Sequence, residues 1–372
     1  MAASLAACQP RESSAPATPE RAAAKPDGWD ALVTAARGEG TAVIYGAATT
    51  EALQVFAEDF ARAYPDIKVE FTFAIGSDLV SRIVAERQAG RYIPDLLISG
   101  STYLGTLKPM GALAPLRPTF VLAEVADPSG WLQGKLWWAD EAEPYTTLHF
   151  QGLQAAAVFV NPTLVSPTEF SSYWDLLNPR WKGKIASGEI RYSSGPGGVP
   201  ARVIYKNPQL GAEWFERLYG EMDVTLSRDQ RQLVDWLVQG RFPILLFASN
   251  SEYAIAKDQG LPIAMVPLER FKEGGALGPG GGALSLVERA PHPNASKVLI
   301  NWLLSREGQQ AWQRHTRLPS LRIDIPKDGL IEDYVPRSGY TYVNGGTEEY
   351  DRITPEVFNE IITRALERAG RG

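Results

Sequence analysis

At 372 residues, with 44% hydrophobic and 22% charged residues, the chain has globular composition and enough length for two domains. Its net charge of −6 and the lack of any long basic run argue against a nucleic-acid groove or a polybasic membrane patch. No apolar run approaches the roughly 18–20 residues that a membrane span requires.

The single cysteine stands in Leu5-Ala6-Ala7-Cys8. The stretch from Gln9 to Asp27 is rich in Pro, Ala, Ser and charge, cannot bury a core, and reads as a disordered tether. From Thr41 the pattern becomes strand, loop, helix, repeated. Thr41 to Tyr45 is a β-rich run. Leu53, Phe56, Phe60 and Tyr64 then mark one face of a helix stopped by Pro65. Ile67 to Phe73 alternates as a strand, Gly76 and Ser77 open a second helix, and Asp95 to Ile98 forms a third strand. Alternation of this kind predicts parallel βαβ units, an α/β fold whose ligands bind at the carboxyl ends of strands.

The middle of the chain repeats the theme. Gln154 to Val160 reads as a buried strand, Trp174 to Leu177 as a short helix, and Lys184 to Ala186 as the entry to another strand. Helices about Trp214 to Leu218 and Leu233 to Val238 precede a strand from Phe242 to Phe247. Gly274 to Gly282 reads as a mobile glycine-rich segment before the strand Ala283 to Val287. Asn294 caps an amphipathic helix presenting Val298 and Trp302, and Ser305 with Glu307 restarts a second. A last amphipathic helix, Thr354 to Ala369, places Val357, Ile361, Ile362 and Leu366 to pack on a neighbour.

Several strand ends carry small residues and hydroxyls, which let backbone N–H groups approach a ligand. They nominate Ala47, Thr49, Thr50, Gly76, Ser77, Ser99, Ser101, Ser193, Ser194 and Asn250 as lining a cleft for a small polar or anionic molecule. Trp137 lies in an irregular, aromatic stretch suited to stacking on a ligand. Tyr253 is the best-placed phenol, and Arg191 the best-placed cation for a carboxylate or phosphonate.

Enzyme readings lack their parts. His149, His292 and His315 stand far apart without zinc-helix spacing, and no G-x-S-x-G elbow is present. Gly278 to Ala283 matches G-x-G-x-x-A but precedes a strand instead of following one, so a dinucleotide cofactor is not expected. No catalytic residue and no cofactor is assigned.

Two segments carry a family resemblance: Ser172 to Ala186, SYWDLLNPRWKGKIA, and Ala290 to Trp312, APHPNASKVLINWLLSREGQQAW. Both resemble bacterial extracellular solute-binding proteins, the receptors of ABC importers, and the likeness runs from about Thr41 to Leu318. It implies a two-lobed, type II periplasmic-binding-protein-like fold with a hinge, Gln154 to Val160 and Ala283 to Val287 being its crossings. Lobe 1 is expected over 38–150 plus 283–318, lobe 2 over 151–282, and a leader and tether over 1–37. The C-terminal extension, 319–372, is expected to pack outside the cleft.

The implied function is capture of a small, anionic solute and its delivery to an ABC permease by an extracytoplasmic monomer, without nucleic acid. Leu5 to Cys8 resembles a lipobox, which implies lipidation of Cys8 as the membrane attachment. The segment around Tyr253 resembles ferric-ion-binding proteins, which hold the metal with two adjacent tyrosines, a His and a Glu. Here Glu252 replaces the first tyrosine, and the loops after the first and third strands supply no His or Glu. Ferric transport through Tyr253 and Glu252 therefore stays as an alternative, as does an enzyme built on the same bilobed fold.

Overall fold

The computed structural model describes residues 27–46, 50–192 and 197–371, with the side chains of 50–52 excepted. The chain begins with α1 (Trp29–Glu39), then β1 (Thr41–Gly46), α2 (Thr50–Ala63), β2 (Lys68–Phe73), α3 (Gly76–Gln88) and β3 (Leu96–Ser99). Short elements follow: α4 (Leu104–Leu107), β4 (Leu113–Ala114), α5 (Ala123–Ala126), β5 (Trp137–Trp138) and β6 (Thr147–His149). β7 (Leu153–Gln154) leaves this lobe.

The second lobe holds β8 (Val158–Val160), β9 (Ile185–Gly188), α6 (Gly198–Lys206), α7 (Gly211–Glu221), β10 (Thr225–Ser227), α8 (Gln230–Val238), β11 (Ile244–Leu246), α9 (Asn250–Asp258) and β12 (Ala264–Met265). β13 (Gly275–Gly278) returns to the first lobe, which β14 (Ala283–Val287), α10 (Pro293–Leu304) and α11 (Arg306–Thr316) complete. β15 (Tyr342–Asn344), α12 (Glu348–Asp351) and α13 (Pro355–Arg368) end the chain.

The first lobe is built on a sheet ordered β2-β1-β3-β14-β6-β5, with β4 on β14. β1 pairs parallel with β2 and β3, as the alternating pattern requires, whereas β14 enters antiparallel. The second lobe's sheet runs β10-β9-β11-β8-β12. A third sheet, β15-β13-β7, lies where the chain crosses between them. Its β7 and β13 run antiparallel, so the two crossings are hydrogen-bonded to each other.

Several sequence expectations change here. Gln154 to Val160 is not one strand: β7 belongs to the crossing and β8 to the second lobe. The glycine-rich 274–282 segment is not a loose linker, because Gly275–Gly278 is a fully buried strand. α10 is not amphipathic; it is buried on nearly every side between α1, α11 and the sheet. It starts at Pro293, so Asn294 is not its cap. Its first N–H groups are instead taken by Glu39 of α1, which accepts from Asn294 N at 2.9 Å and Ala295 N at 2.7 Å.

The expected tether over 1–37 is too long at its end. Trp29, Val33 and Ala36 recur at helical spacing and are buried against α10, so α1 is part of the first lobe.

The largest departure is the C-terminal extension, which does not pack simply outside the cleft. β15 adds a parallel strand to the crossing sheet. α12 then touches the first lobe through Lys108–Glu348 at 3.0 Å and the second through Arg202–Asp351 at 3.0 Å. α13 packs on α7 of the second lobe, burying Phe358, Ile361, Ile362, Ala365 and Leu366. The physical reason is composition: Gly345 and Gly346 let the backbone pass close to both lobes. A Cβ on Gly345 would lie 2.8 Å from Val199, and one on Gly346 2.7 Å from His149.

Candidate functional site

The lobe 2 side of the cleft is shaped by backbone packing at the ends of β9 and β11. A Cβ on Gly188 would stand 2.3 Å from the Phe247 carbonyl oxygen, and one on Gly197 2.4 Å from the Phe247 Cβ. Gly197 also has φ +81°, a left-handed conformation that glycine takes without strain. Phe247 itself is left-handed at φ 55° and is tied to Ala157 by its N–H at 2.9 Å. This close stacking brings the starts of α6 and α9 side by side.

Together with the crossing strands they enclose a cavity of about 230 Å³. Its walls are Leu153 to Ala156, Gly278 and Gly280 from the crossings, Gly197, Val199 and Pro200 at the start of α6, and Ala248 to Ser251 at the start of α9. No charged side chain lines it among the described residues. Neither helix start carries a side-chain cap. The first N–H groups of a helix have no intrahelical partner, so both ends present donors and a partial positive charge. Gln154, in contrast, is committed: its amide donates to Glu269 Oε1 and the Val335 carbonyl, each at 3.2 Å.

Of the residues nominated from the sequence, Asn250 lines the cavity. Ala47, Thr49, Ser193 and Ser194 lie outside the described residues, as does Cys8, and the Thr50 side chain is likewise not described. Gly76 and Ser77 are exposed at the start of α3 and line no part of this cavity.

The remaining nominations are corrected. Ser99 is buried within β3, paired opposite Ala283. Ser101 is buried and donates to the Gly346 carbonyl at 2.7 Å. Trp137 is core, 2% exposed, its indole N–H donating to the Leu132 carbonyl at 2.9 Å. An apolar ring with its one polar atom already satisfied has nothing left for a ligand.

Tyr253 is also core. It packs on Phe159, and its hydroxyl donates to Asp333 and accepts from Met265 N at 3.3 Å. Burial and the neighbouring Asp333 carboxylate push that phenol well above its ordinary range, the opposite of what a metal-binding phenolate needs. Glu252 sits in the first turn of α9 but lines no part of the cavity. Among the described residues no group of three or more His, Cys, Asp or Glu side chains is placed to hold a metal ion.

Arg191 forms a bidentate pair with Glu189, at 2.9 and 2.6 Å. It borders a different groove, with Val224, Leu366 and Arg371, and lines no part of the cavity. Sequence reasoning missed Gly197, Val199, Pro200, Ser249 and Ser251, although the Gly197-Gly198 pair before a helical run was a usable signal. It also missed Arg202 and Asp351, which meet only because the extension folds back.

Two sheets joined by paired crossings, with a ligand-sized cavity beside the hinge, define a two-lobed solute-binding protein. The chain belongs to the bacterial extracellular solute-binding protein family, whose model matches residues 46–310. It is accordingly a receptor that takes up solute for an ABC importer. No curated protein matches it in sequence.

The fold is shared with solved structures. Ferric iron-binding protein A of Mannheimia haemolytica, in an open conformation, superimposes with a TM-score of 0.66 at 12% identity, covering 88% of this chain and 98% of that one. Iron-bound HitA of Pseudomonas aeruginosa gives 0.59 at 17% identity, covering 89% and 98%. AfuA of Actinobacillus pleuropneumoniae, with fructose-6-phosphate bound, gives 0.55 at 19% identity, covering 90% and 99%. Among the described residues no helix is long and apolar enough to cross a membrane.

Proposed function

We propose that the solute is a small anion, held beside the hinge by backbone donors and hydroxyls and released to the permease when the lobes part. The observation that carries this reading is the pair of uncapped helix starts, α6 and α9, opening on one cavity. Two converging helix N-termini favour negative charge without any cationic side chain.

Ferric ion is disfavoured by the same lining, because a hard cation needs anionic oxygen ligands. The reading also has the protein act as a monomer, tethered through a lipid on Cys8; mass spectrometry of membrane-extracted protein tests the lipid. The family consists of transport receptors, and the reading assigns binding without turnover of the solute.

A melting-temperature screen of ligand-stripped protein tests the central claim. At a hundredfold excess over Kd a true ligand stabilises by about 2.7 kcal/mol, roughly 3–5 °C for a chain of this size. Shifts are expected with dicarboxylates, phosphonates, sulfonates or sugar phosphates. A shift with ferric ion alone would overturn the reading.

A further inference from the structure

Arg202 on α6 is a buried cation, in the helix that opens on the cavity, that the reading above leaves unused. Its side chain is 4% exposed, and its Nε is buried without a hydrogen-bond partner. It reaches back over the start of α6: an ideal Cβ on Gly198 would lie 3.6 Å from its Nη1. Across from it stands Ser101 of lobe 1, whose neighbour Gly100 approaches the carbonyl of Gly280, a residue of the cavity wall. Between the two sits Asp351 of the C-terminal extension, its side chain 8% exposed.

One Asp351 oxygen lies 3.0 Å from Arg202 Nη2 and the other 3.5 Å from Ser101 Oγ. The fit is poor. Oδ1 makes no aligned hydrogen bond, and the guanidinium uses one corner of a fork built for two parallel bonds. We propose that Arg202, where the two lobes meet, is the cation of an anion subsite, and that Asp351 is its built-in occupant, which a carboxylate or phosphate group of the solute displaces. This rests on the reading of the interlobe cleft as the solute site.

The arrangement gives the chain a reason to spend a buried carboxylate between its lobes. A free carboxylate can turn to meet Nε and Nη2 together, whereas Asp351, fixed on α12, meets one. Burial raises the Asp351 carboxyl to about 6 despite the adjacent guanidinium, consistent with a weakly held occupant. Glu348, on the same helix, adds to that rise and is itself paired with Lys108 of lobe 1 at 3.0 Å, so Arg202 remains the principal partner of Asp351.

The test is chemical rescue in the full-length protein. Asp351→Ala should melt lower than the wild type at pH 7.5. Millimolar acetate or inorganic phosphate should then raise its melting temperature by about 3 °C as the subsite fills. Chloride at equal ionic strength should not, and the wild type, already occupied, should move by less than a third as much. Should Asp351→Ala not fold, Asp351→Asn keeps the volume while leaving Arg202 uncompensated, and should show the same anion-specific rise.

Equal responses in wild type and variants, or none in either variant, would overturn the subsite. If the variants are rescued but no solute shifts the wild type in the broader screen, the subsite stands and the transport reading fails. If a solute binds the wild type while no anion rescues the variants, the subsite alone falls.

Discussion

On lobe 1, the groups nearest the hinge are already committed within the protein: Ser101 to the Gly346 carbonyl, Trp137 to Leu132, and Ser99 inside β3. On lobe 2, the first turns of α6 and α9 face the cavity with backbone donors that no side-chain cap claims. Residue type does not separate the two cases, since both sides offer serine at a strand end. What separates them is prior commitment: the Gly346 carbonyl of the C-terminal extension takes the Ser101 hydroxyl, and lobe 1's own backbone takes Trp137 and Ser99. Affinity for the solute should therefore reside mainly in lobe 2 and in the crossings, while lobe 1's nominated residues support the fold.

Trp137→Ala is the strongest way to break that comparison. Removing a buried indole should lower stability by about 3–5 kcal/mol, read by urea unfolding, and leave solute affinity unchanged under native conditions. A drop in affinity of tenfold or more with the fold intact would return Trp137 to the cleft.

The pH dependence sharpens the role of the extension, because two of its contacts titrate in opposite senses. Asp351 is raised from 3.8 to about 6 by burial, against the pull of Arg202 and with Glu348 on its own helix adding to the rise. Between those values the native state holds a proton that the unfolded chain lacks, so this group's contribution to stability grows as pH falls from about 6 to 4. His149, whose Nδ1 donates to Asn344 Oδ1 at 2.9 Å, is lowered from 6.5 to about 4 by burial. There the unfolded chain binds the proton first, and stability is lost over nearly the same window.

Each contribution amounts to about 3 kcal/mol at full extent. Urea titrations between pH 7 and 4 should show the stability gap between Asp351→Asn and wild type moving in the wild type's favour. The gap for His149→Asn should move in the variant's favour. Parallel curves would mean that neither group is as buried as the folded extension makes it.

The βαβ order of lobe 1, the helices α2 and α3, and the strand β14 were legible because hydrophobic periodicity and Gly/Pro punctuation report local structure directly. The family resemblance extended that to two lobes and a hinge. The C-terminal extension was not legible, since β15 is short and takes its place from pairing with β13, and α12 is short and takes its place from contacts with residues more than 200 positions away, such as Lys108 and Glu141. Tyr253 misled for a related reason. A phenol at a helix start looks available until Asp333, from that same extension, is seen to take its hydroxyl. The Gly197-Gly198 pair was visible, but its meaning depends on Phe247 packing against it.

Asn250 is the nominated residue that does line the cavity, at the first position of α9. Its carbonyl accepts from the Tyr334 hydroxyl, which fixes the helix start independently of the side chain. Asn250→Ala should weaken solute binding about tenfold, near 1.4 kcal/mol, in a calorimetric titration. Stability should stay within about 0.5 kcal/mol of wild type, as for a substitution that removes no core contact. A loss of stability matching the loss of affinity would make Asn250 a scaffold residue and place lobe 2 on the same footing as lobe 1.

Arg191→Ala carries the smallest expected effect on binding and the clearest contrast with Arg202. Both are arginines of lobe 2 paired with a buried carboxylate, and from sequence Arg191 was the natural partner for an anionic solute. Its guanidinium, however, is filled by Glu189 in the geometry that satisfies both. It also stacks near Tyr192 and borders the groove with Leu366 and Arg371, and it lines no part of the cavity. A well-matched internal pair has no reason to exchange its partner, whereas the poorly aligned Arg202–Asp351 pair does. Solute Kd should therefore change by less than about twofold in Arg191→Ala. Stability should fall instead, because Glu189, 6% exposed, is left buried without its counter-charge. A tenfold loss of affinity with unchanged stability would show that the solute reaches Arg191 after all, and that the binding surface extends around the edge of lobe 2.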